Sequence, residues 1–162
     1  MGDTLELKGP FSKFTYTENM FGSIGMVAAG TGITPMYQVL LEILSNPRDT
    51  TEVRLVYASR TAADIILRDE LDALAAVYPN FKVTYILSKP DDAWQGAKGH
   101  VSRELLEQHL PPPQAERVKL LVCGPPGFMK SVCGEKVSPS DQGALSGILK
   151  GMRFSEAEVF KF

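Results

Sequence analysis

A chain of 162 residues with 44% hydrophobic and 22% charged side chains is sized for one globular domain around one core, which argues against two independent domains. Its net charge of −2 is spread along the sequence without a basic block, so the electrostatic footprint of a nucleic-acid binder is missing. Two cysteines, Cys123 and Cys133, are too few for a disulfide scaffold and suit a reducing compartment; no metal-ligand spacing, signal peptide or run of roughly 20 apolar residues is visible.

The chain opens inside a strand-like run, Thr4-Leu5-Glu6-Leu7, and on that ground reads as a piece of a longer protein. Residues 24–29 form a continuous apolar stretch ending at Gly30, the pattern of a strand buried on both faces of a parallel sheet. Thr34-Pro35 then opens a helical run, with Thr34 expected as N-cap and Pro35 at the first helical position. Residues 53–58 read as a second strand, 65–77 as a helix by apolar spacing, and 82–87 as a third strand. A loop with Pro90, Trp94, Gly96 and Gly99 follows, in which Trp94 is expected to pack as a hydrophobic anchor. Ser102 is placed to cap a short helix that runs to Leu110 and stops at Pro111-Pro112-Pro113. Residues 118–123 make a fourth strand, Gly124-Pro125-Pro126-Gly127 a turn, and Phe128 onward a helix. A helix over 142–149, ended by Gly151, and a fifth strand over 158–162 complete the chain.

Alternating strands and helices with short connections imply an α/β fold: a three-layer, doubly wound, mostly parallel five-stranded sheet with helices on both faces. Ligands of such sheets bind beyond the carboxyl ends of the strands, which directs attention to the residues after Ala29, Ala58, Leu87 and Val122.

Two strand ends carry glycine-rich turns. In Gly30-Thr31-Gly32-Ile33-Thr34-Pro35-Met36 the glycines let backbone approach a ligand, and the following helix offers its positive end to a pyrophosphate. Pro35 stands where the third glycine of the usual dinucleotide fingerprint would be, so the glycine spacing is equally that of a structural βα turn. The second motif, Cys123-Gly124-Pro125-Pro126-Gly127-Phe128-Met129, is a rigid turn whose backbone can face a flat ring. No histidine lies near Cys123 in sequence, the two being His100 and His109, which argues against a nucleophilic thiol. Cys133 reads as a buried helix residue and His109 as a solvated one.

These two motifs together resemble the NADH-cytochrome b5 reductase family and the related nitrate reductase and ferredoxin reductase modules. The resemblance spans nearly the whole chain, from Gly9-Pro10-Phe11-Ser12 to Val159-Phe160-Lys161-Phe162. It implies that residues 1–20 are the end of a flavin-domain strand and a linker, and that 21–162 bind NAD(P)H. Gly30, Thr31 and Gly32 would lie near nicotinamide and flavin, with Thr34, Pro35 and Met36 opening the pyrophosphate helix. Cys123, Gly124 and Pro125, followed by Pro126 and Gly127, would border the nicotinamide, and Met129 would pack beneath them. Thr31 and Cys123 would position nicotinamide and flavin without acting as acid or base.

The resemblance further implies FAD on a preceding barrel, since the Arg-x-Tyr-Ser/Thr flavin motif is absent here, and a haem partner such as cytochrome b5. It implies a cytosol-facing enzyme attached, through an anchor outside this chain, to the endoplasmic reticulum or mitochondrial outer membrane. Cofactor choice in such sheets often rests on an acidic residue at the ribose. Here the strand ends offer Ser59, Arg60, Ser88 and Lys89, so NADH is favoured by resemblance while NADPH stays open. A reductase module of a larger flavoprotein, a non-catalytic dinucleotide sensor and a thiol hydrolase built on Cys123 are the alternatives.

Overall fold

The computed structural model describes Thr4 and residues 13–162; all of the strand expected from Thr4 to Lys8 beyond its first residue, and the 9–12 connection, lie outside the described residues. Four βα-type steps and a closing strand build the rest. β1 (Ser23–Ala29) leads through a 3-10 turn, Gly30–Gly32, into α1 (Ile33–Leu44). β2 (Glu52–Ser59), α2 (Arg68–Val77), β3 (Phe81–Leu87) and a two-residue β4 (Ala97–Lys98) follow. The chain then crosses through α3 (Arg103–His109) to β5 (Val118–Cys123), and α4 (Pro126–Val132) and α5 (Gly147–Gly151) precede β6 (Val159–Lys161).

All pairings are parallel, in the order β4-β3-β2-β1-β5-β6. The sheet therefore has six strands rather than the expected five. The addition is β4, whose two residues pair with Ile86 and Leu87 and carry no apolar period of their own. Alternate strand residues face opposite layers, as the two-residue strand period requires. Ile24, Met26, Leu55 and Tyr57 pack toward α1 and α2; Val27, Val56, Leu120 and Val122 pack toward α3, α4 and α5. Each such fully buried aliphatic side chain contributes about 1.5–3 kcal/mol, which is why the central strands read as unbroken apolar runs.

Three helix expectations need correction. Thr34 is not an N-cap: the Gly30–Gly32 turn runs directly into α1, which begins at Ile33. Thr34 instead donates its hydroxyl to the carbonyl of Thr31 at 3.1 Å, and Pro35 sits within the first turn, where its missing N–H costs nothing. α2 starts at Arg68 rather than 65, because a separate turn, Ala62–Asp64, and a left-handed Leu67 intervene. The helix expected over 142–149 shrinks to α5, since Gly143 and Gly147 adopt left-handed φ of 62° and 65°. Ser102 does cap α3, accepting the N–H of Leu105 at 3.2 Å. α4 starts slightly before Phe128, at Pro126.

Trp94 packs, as expected: its indole N–H donates to the carbonyl of Ala97 at 3.0 Å, and the Arg68 guanidinium lies 5.5 Å from its ring. Cys133 is fully buried at the end of α4. His109 is half-buried and not merely solvated, its Nδ1 lying 3.1 Å from the Thr84 hydroxyl.

Candidate functional site: a cleft at the switch point of the sheet

The strand order reverses between β1 and β5, the place where ligands settle in open α/β sheets. Both glycine-rich turns lie there. Ala28 pairs with Cys123 across the two strands, so the Gly30 and Cys123 turns leave the sheet side by side.

Their contact depends on Gly32. A Cβ at that position would collide with the Cys123 carbonyl and come within 2.9 Å of the Gly124 nitrogen, so only glycine lets the turns touch. Gly30 is required for a different reason. Its φ of +55° is left-handed, yet nothing lies within 4 Å of where a Cβ would point. Its carbonyl is held from below by the hydroxyl of Tyr57, a fully buried β2 side chain, at 2.9 Å.

A cleft of about 740 Å³ opens beyond the strand ends. Of the residues singled out in the sequence, Gly30, Ser59, Arg60, Ser88, Pro125 and Gly127 line it. Gly124, Pro126 and Met129 line a second hollow of about 310 Å³ on the other side of the Cys123 turn, shared with Glu135, Lys136 and Phe162. Thr31 and Thr34 are exposed at the start of α1, with Pro35 half-buried beside them. Met36 is fully buried in the core and supports α1 from beneath, so its side chain cannot face a ligand.

The cleft also has walls that sequence patterns do not reveal. His100 and Val101 come from the segment after β4, and Phe128 and Ser131 come from α4. Apart from Phe128, which belongs to the second glycine motif, none carries a motif. Position alone, just past a strand end or on the helix after the second glycine turn, was the available signal. The carboxylate on the wall is Asp64, held low in pKa by hydrogen bonds from the Thr61 hydroxyl and N–H at 2.7 and 2.9 Å.

Cys123 is half-buried and free. Burial pushes its thiol pKa up, and the Lys136 ammonium only partly opposes that. A protonated thiol at neutral pH is a poor nucleophile, which disfavours hydrolase chemistry here. Among the described residues no cluster of histidine, cysteine and carboxylate side chains is arranged to hold a metal.

The backbone at Gly30, Gly99 and Gly127 has no atom within 4 Å of a would-be Cβ. Gly30, Gly99 and Gly127 all line the cleft, leaving bare peptide surface for a flat ring or a phosphate to approach. The residues thus fit an extended dinucleotide.

Comparison with known proteins agrees with that geometry. The family described as oxidoreductase NAD-binding domain matches residues 26–134. The chain is 49% identical over 159 residues to NADH-cytochrome b5 reductase 2 of Aspergillus terreus, covering 98% of this chain and 50% of that protein. It is 46% identical over 162 residues to NADH-cytochrome b5 reductase 2 of Yarrowia lipolytica, covering 99% and 56%. The cytochrome b5 reductase domain of Ulva prolifera nitrate reductase superposes with a TM-score of 0.83 at 35% identity, over 96% of this chain and 59% of that one. The CS-b5R domains of human Ncb5or, in the NAD+ form, give 0.71 at 28% identity, over 96% and 40%. The chain spans about half the length of the curated relatives it matches. With the match covering most of the sheet and both glycine turns, the chain belongs to the oxidoreductase NAD-binding domain family.

Proposed function

We propose that this chain is the nicotinamide-nucleotide half of a flavoprotein reductase that takes hydride from NADH, delivers it to FAD on a preceding domain, and passes electrons to a haem acceptor such as cytochrome b5. The observation that carries the reading is the glycine-floored cleft at the β1/β5 switch point. The printed names of the relatives, NADH-cytochrome b5 reductase 2, supply the choice of donor and acceptor.

When bound, nicotinamide and flavin supply the redox chemistry; the chain supplies alignment. The positive end of α1, following Gly30–Gly32, would hold the pyrophosphate. Gly127 and Pro125 present a rigid wall, and the turn they belong to separates the main cleft from the hollow lined by Gly124, Lys136 and Phe162. Thr31, exposed at the start of α1, and Cys123, half-buried at the end of β5, would hold the ring's orientation. Burial holds the Cys123 thiol above its ordinary pKa, so it would act there without gaining or losing a proton.

The test is flavin reduction by NADH in the chain joined to its flavin domain, alongside calorimetric titration of NADH. Gly127→Leu places a side chain in open cleft space, so it should fold yet weaken NADH binding by about tenfold or more. Saturable binding that ignores this substitution would put the site elsewhere. The similarity to the Ulva prolifera nitrate reductase domain supports a second reading, in which the same half serves a larger flavoprotein. Sequencing the natural polypeptide upstream separates the two.

A further inference from the structure

We propose that Lys161 is a positioning residue for hydride transfer: its buried ammonium holds residues 135–144 against β6 and thereby fixes the Glu135–Lys136 wall of the hollow beside the Cys123 turn. This rests on the reductase reading above and adds to it a residue that lines neither the cleft nor the hollow.

β6 is the last strand in the sheet order, so its outer edge has no further strand to pair with. The loop after α4 covers it. The side-chain amide of Gln142 takes both main-chain groups of Lys161, accepting its N–H at 2.6 Å and donating to its carbonyl at 3.1 Å. The Lys161 side chain answers from the strand. Its ammonium donates to the carbonyls of Gln142 at 2.7 Å and Ala144 at 2.9 Å, with longer bonds to Glu135 at 3.4 Å and Gly143 at 3.5 Å. Only 2% of the residue is exposed. A charge so far from water demands partners, and here they are the loop's own carbonyls; without the ammonium those buried acceptors lose their donor.

The consequence reaches the site at two points. Glu135, tethered through its carbonyl, and Lys136 line the hollow with Gly124, Pro126, Met129 and Phe162. Phe162 follows Lys161 directly, and its N–H is fixed to the carbonyl of Val122 at 3.0 Å, one residue before Cys123. One side chain thus ties together two walls of the hollow that adjoins the Cys123 turn. Lys136 lies 5.9 Å from the Phe160 ring. Burial pushes the Cys123 thiol pKa up, and the Lys136 charge opposes that rise. Release of the loop would carry this cation away from the turn that would border the nicotinamide, and an aligned transfer is sensitive to such misplacement.

The full-length flavoprotein provides the test. Lys161→Met keeps the packing of the side-chain stem, Lys161→Ala empties the carbonyl cage, and Lys136→Met leaves the cage intact. We would measure single-turnover flavin reduction, the NADH dissociation constant, and the pH midpoint of Cys123 alkylation, read on its own peptide by mass spectrometry. Expected in Lys161→Met are flavin reduction slowed about tenfold, with an NADH dissociation constant within about twofold of the parent's, and an alkylation midpoint moved to higher pH. Lys136→Met should move that midpoint the same way. Ammonium ions, which supply the lost N–H donors, should restore part of the rate in Lys161→Ala, and lithium at the same ionic strength should not. A Lys161→Met that does not fold, keeps the parental rate or loses rate and affinity equally makes Lys161 a structural residue only. A midpoint unmoved in Lys136→Met, or an equal response to both salts, likewise overturns the positioning role, and each of these outcomes leaves the nucleotide-binding reading intact. If the parent itself neither binds NADH nor reduces its flavin with it, the reductase reading falls and the proposal with it.

Discussion

The hydroxyl of Tyr57 donates to the carbonyl of Gly30 at 2.9 Å and accepts the backbone N–H of Ile66 at 3.3 Å. One buried side chain thereby sets the left-handed turn after β1 against the segment after β2, the two edges between which the cleft opens. Burial raises the phenol's pKa, so it stays a neutral donor throughout the physiological range. Tyr57→Phe keeps the ring beside Tyr85, at 6.3 Å between centroids, but leaves a carbonyl and an amide without their partner. We expect a loss of about 1–3 kcal/mol in urea denaturation, with weaker nucleotide binding by calorimetry. A variant as stable and as tight as the parent would show that the Gly30 turn holds itself.

Gly30 and Gly32 are needed for separate reasons, and alanine at each should reveal them. Gly30→Ala meets no atom and bears only the left-handed backbone cost of about 1–2 kcal/mol. Gly32 has a helical φ of −62°, which any residue accepts, but its new methyl would strike the backbone of Cys123 and Gly124. Neither turn can retreat without dragging a central strand. Gly32→Ala should therefore lose more than Gly30→Ala, about 3 kcal/mol, and should separate the two turns of the site. Thermal denaturation of both variants gives the comparison; an equal Tm would count against the close-approach argument.

A polar knot at the other end of the sheet makes stability depend on pH at both extremes. The Tyr16 hydroxyl donates to Asp49 Oδ2 at 2.6 Å, and the Thr51 N–H reaches Oδ1 at 3.0 Å. Burial pushes the Asp49 carboxyl up, but these hydrogen bonds outweigh it and hold the pKa below the usual carboxylate value. Its contribution is full above about pH 4 and lost as pH falls through the folded value. Tyr16 is pushed up to about 12, by burial first and then by its hydrogen bond to Asp49. Its contribution is full below about pH 10 and fades as pH rises toward the folded value. The stability gap between the parent and Asp49→Asn should shrink in acid, and that between the parent and Tyr16→Phe should shrink in alkali. Gaps that stay constant across both ranges would sink the linkage.

Much of this architecture is legible in the sequence because the central strands are apolar runs bounded by glycine, proline or polar turns. β4 is not legible, since two residues have no period and Ala97–Lys98 is a strand only by virtue of β3. The 137–146 region misleads for another reason. Its carbonyls are gathered by Lys161, a buried ammonium donating to Gln142 at 2.7 Å and Ala144 at 2.9 Å, and Gln142 also accepts the Lys161 N–H at 2.6 Å. A lysine in a terminal strand looks solvated until the loop that wraps it is known. The candidate site divides similarly: the glycine turns after Ala29 and Cys123 announce themselves, whereas His100, Ser131 and Tyr57 act through tertiary placement that no local pattern encodes.

Cys123 offers the sharpest distinction between positioning and chemistry. Its thiol is half-buried with a pKa above the ordinary thiol value, burial outweighing the nearby Lys136 ammonium. Alkylation at pH 7 should run slower than that of a free thiol, because the reactive thiolate is scarce and the sulfur is partly covered. The rate should climb only as pH passes above about 8.5, the unperturbed thiol pKa. Cys123→Ser keeps the volume while exchanging a polarizable apolar sulfur for a hydroxyl that prefers water. A positioning residue predicts that single-turnover flavin reduction slows more than the NADH dissociation constant rises. Equal losses in rate and affinity would make Cys123 an ordinary binding contact, and rapid alkylation at neutral pH would return the thiol to consideration as a nucleophile.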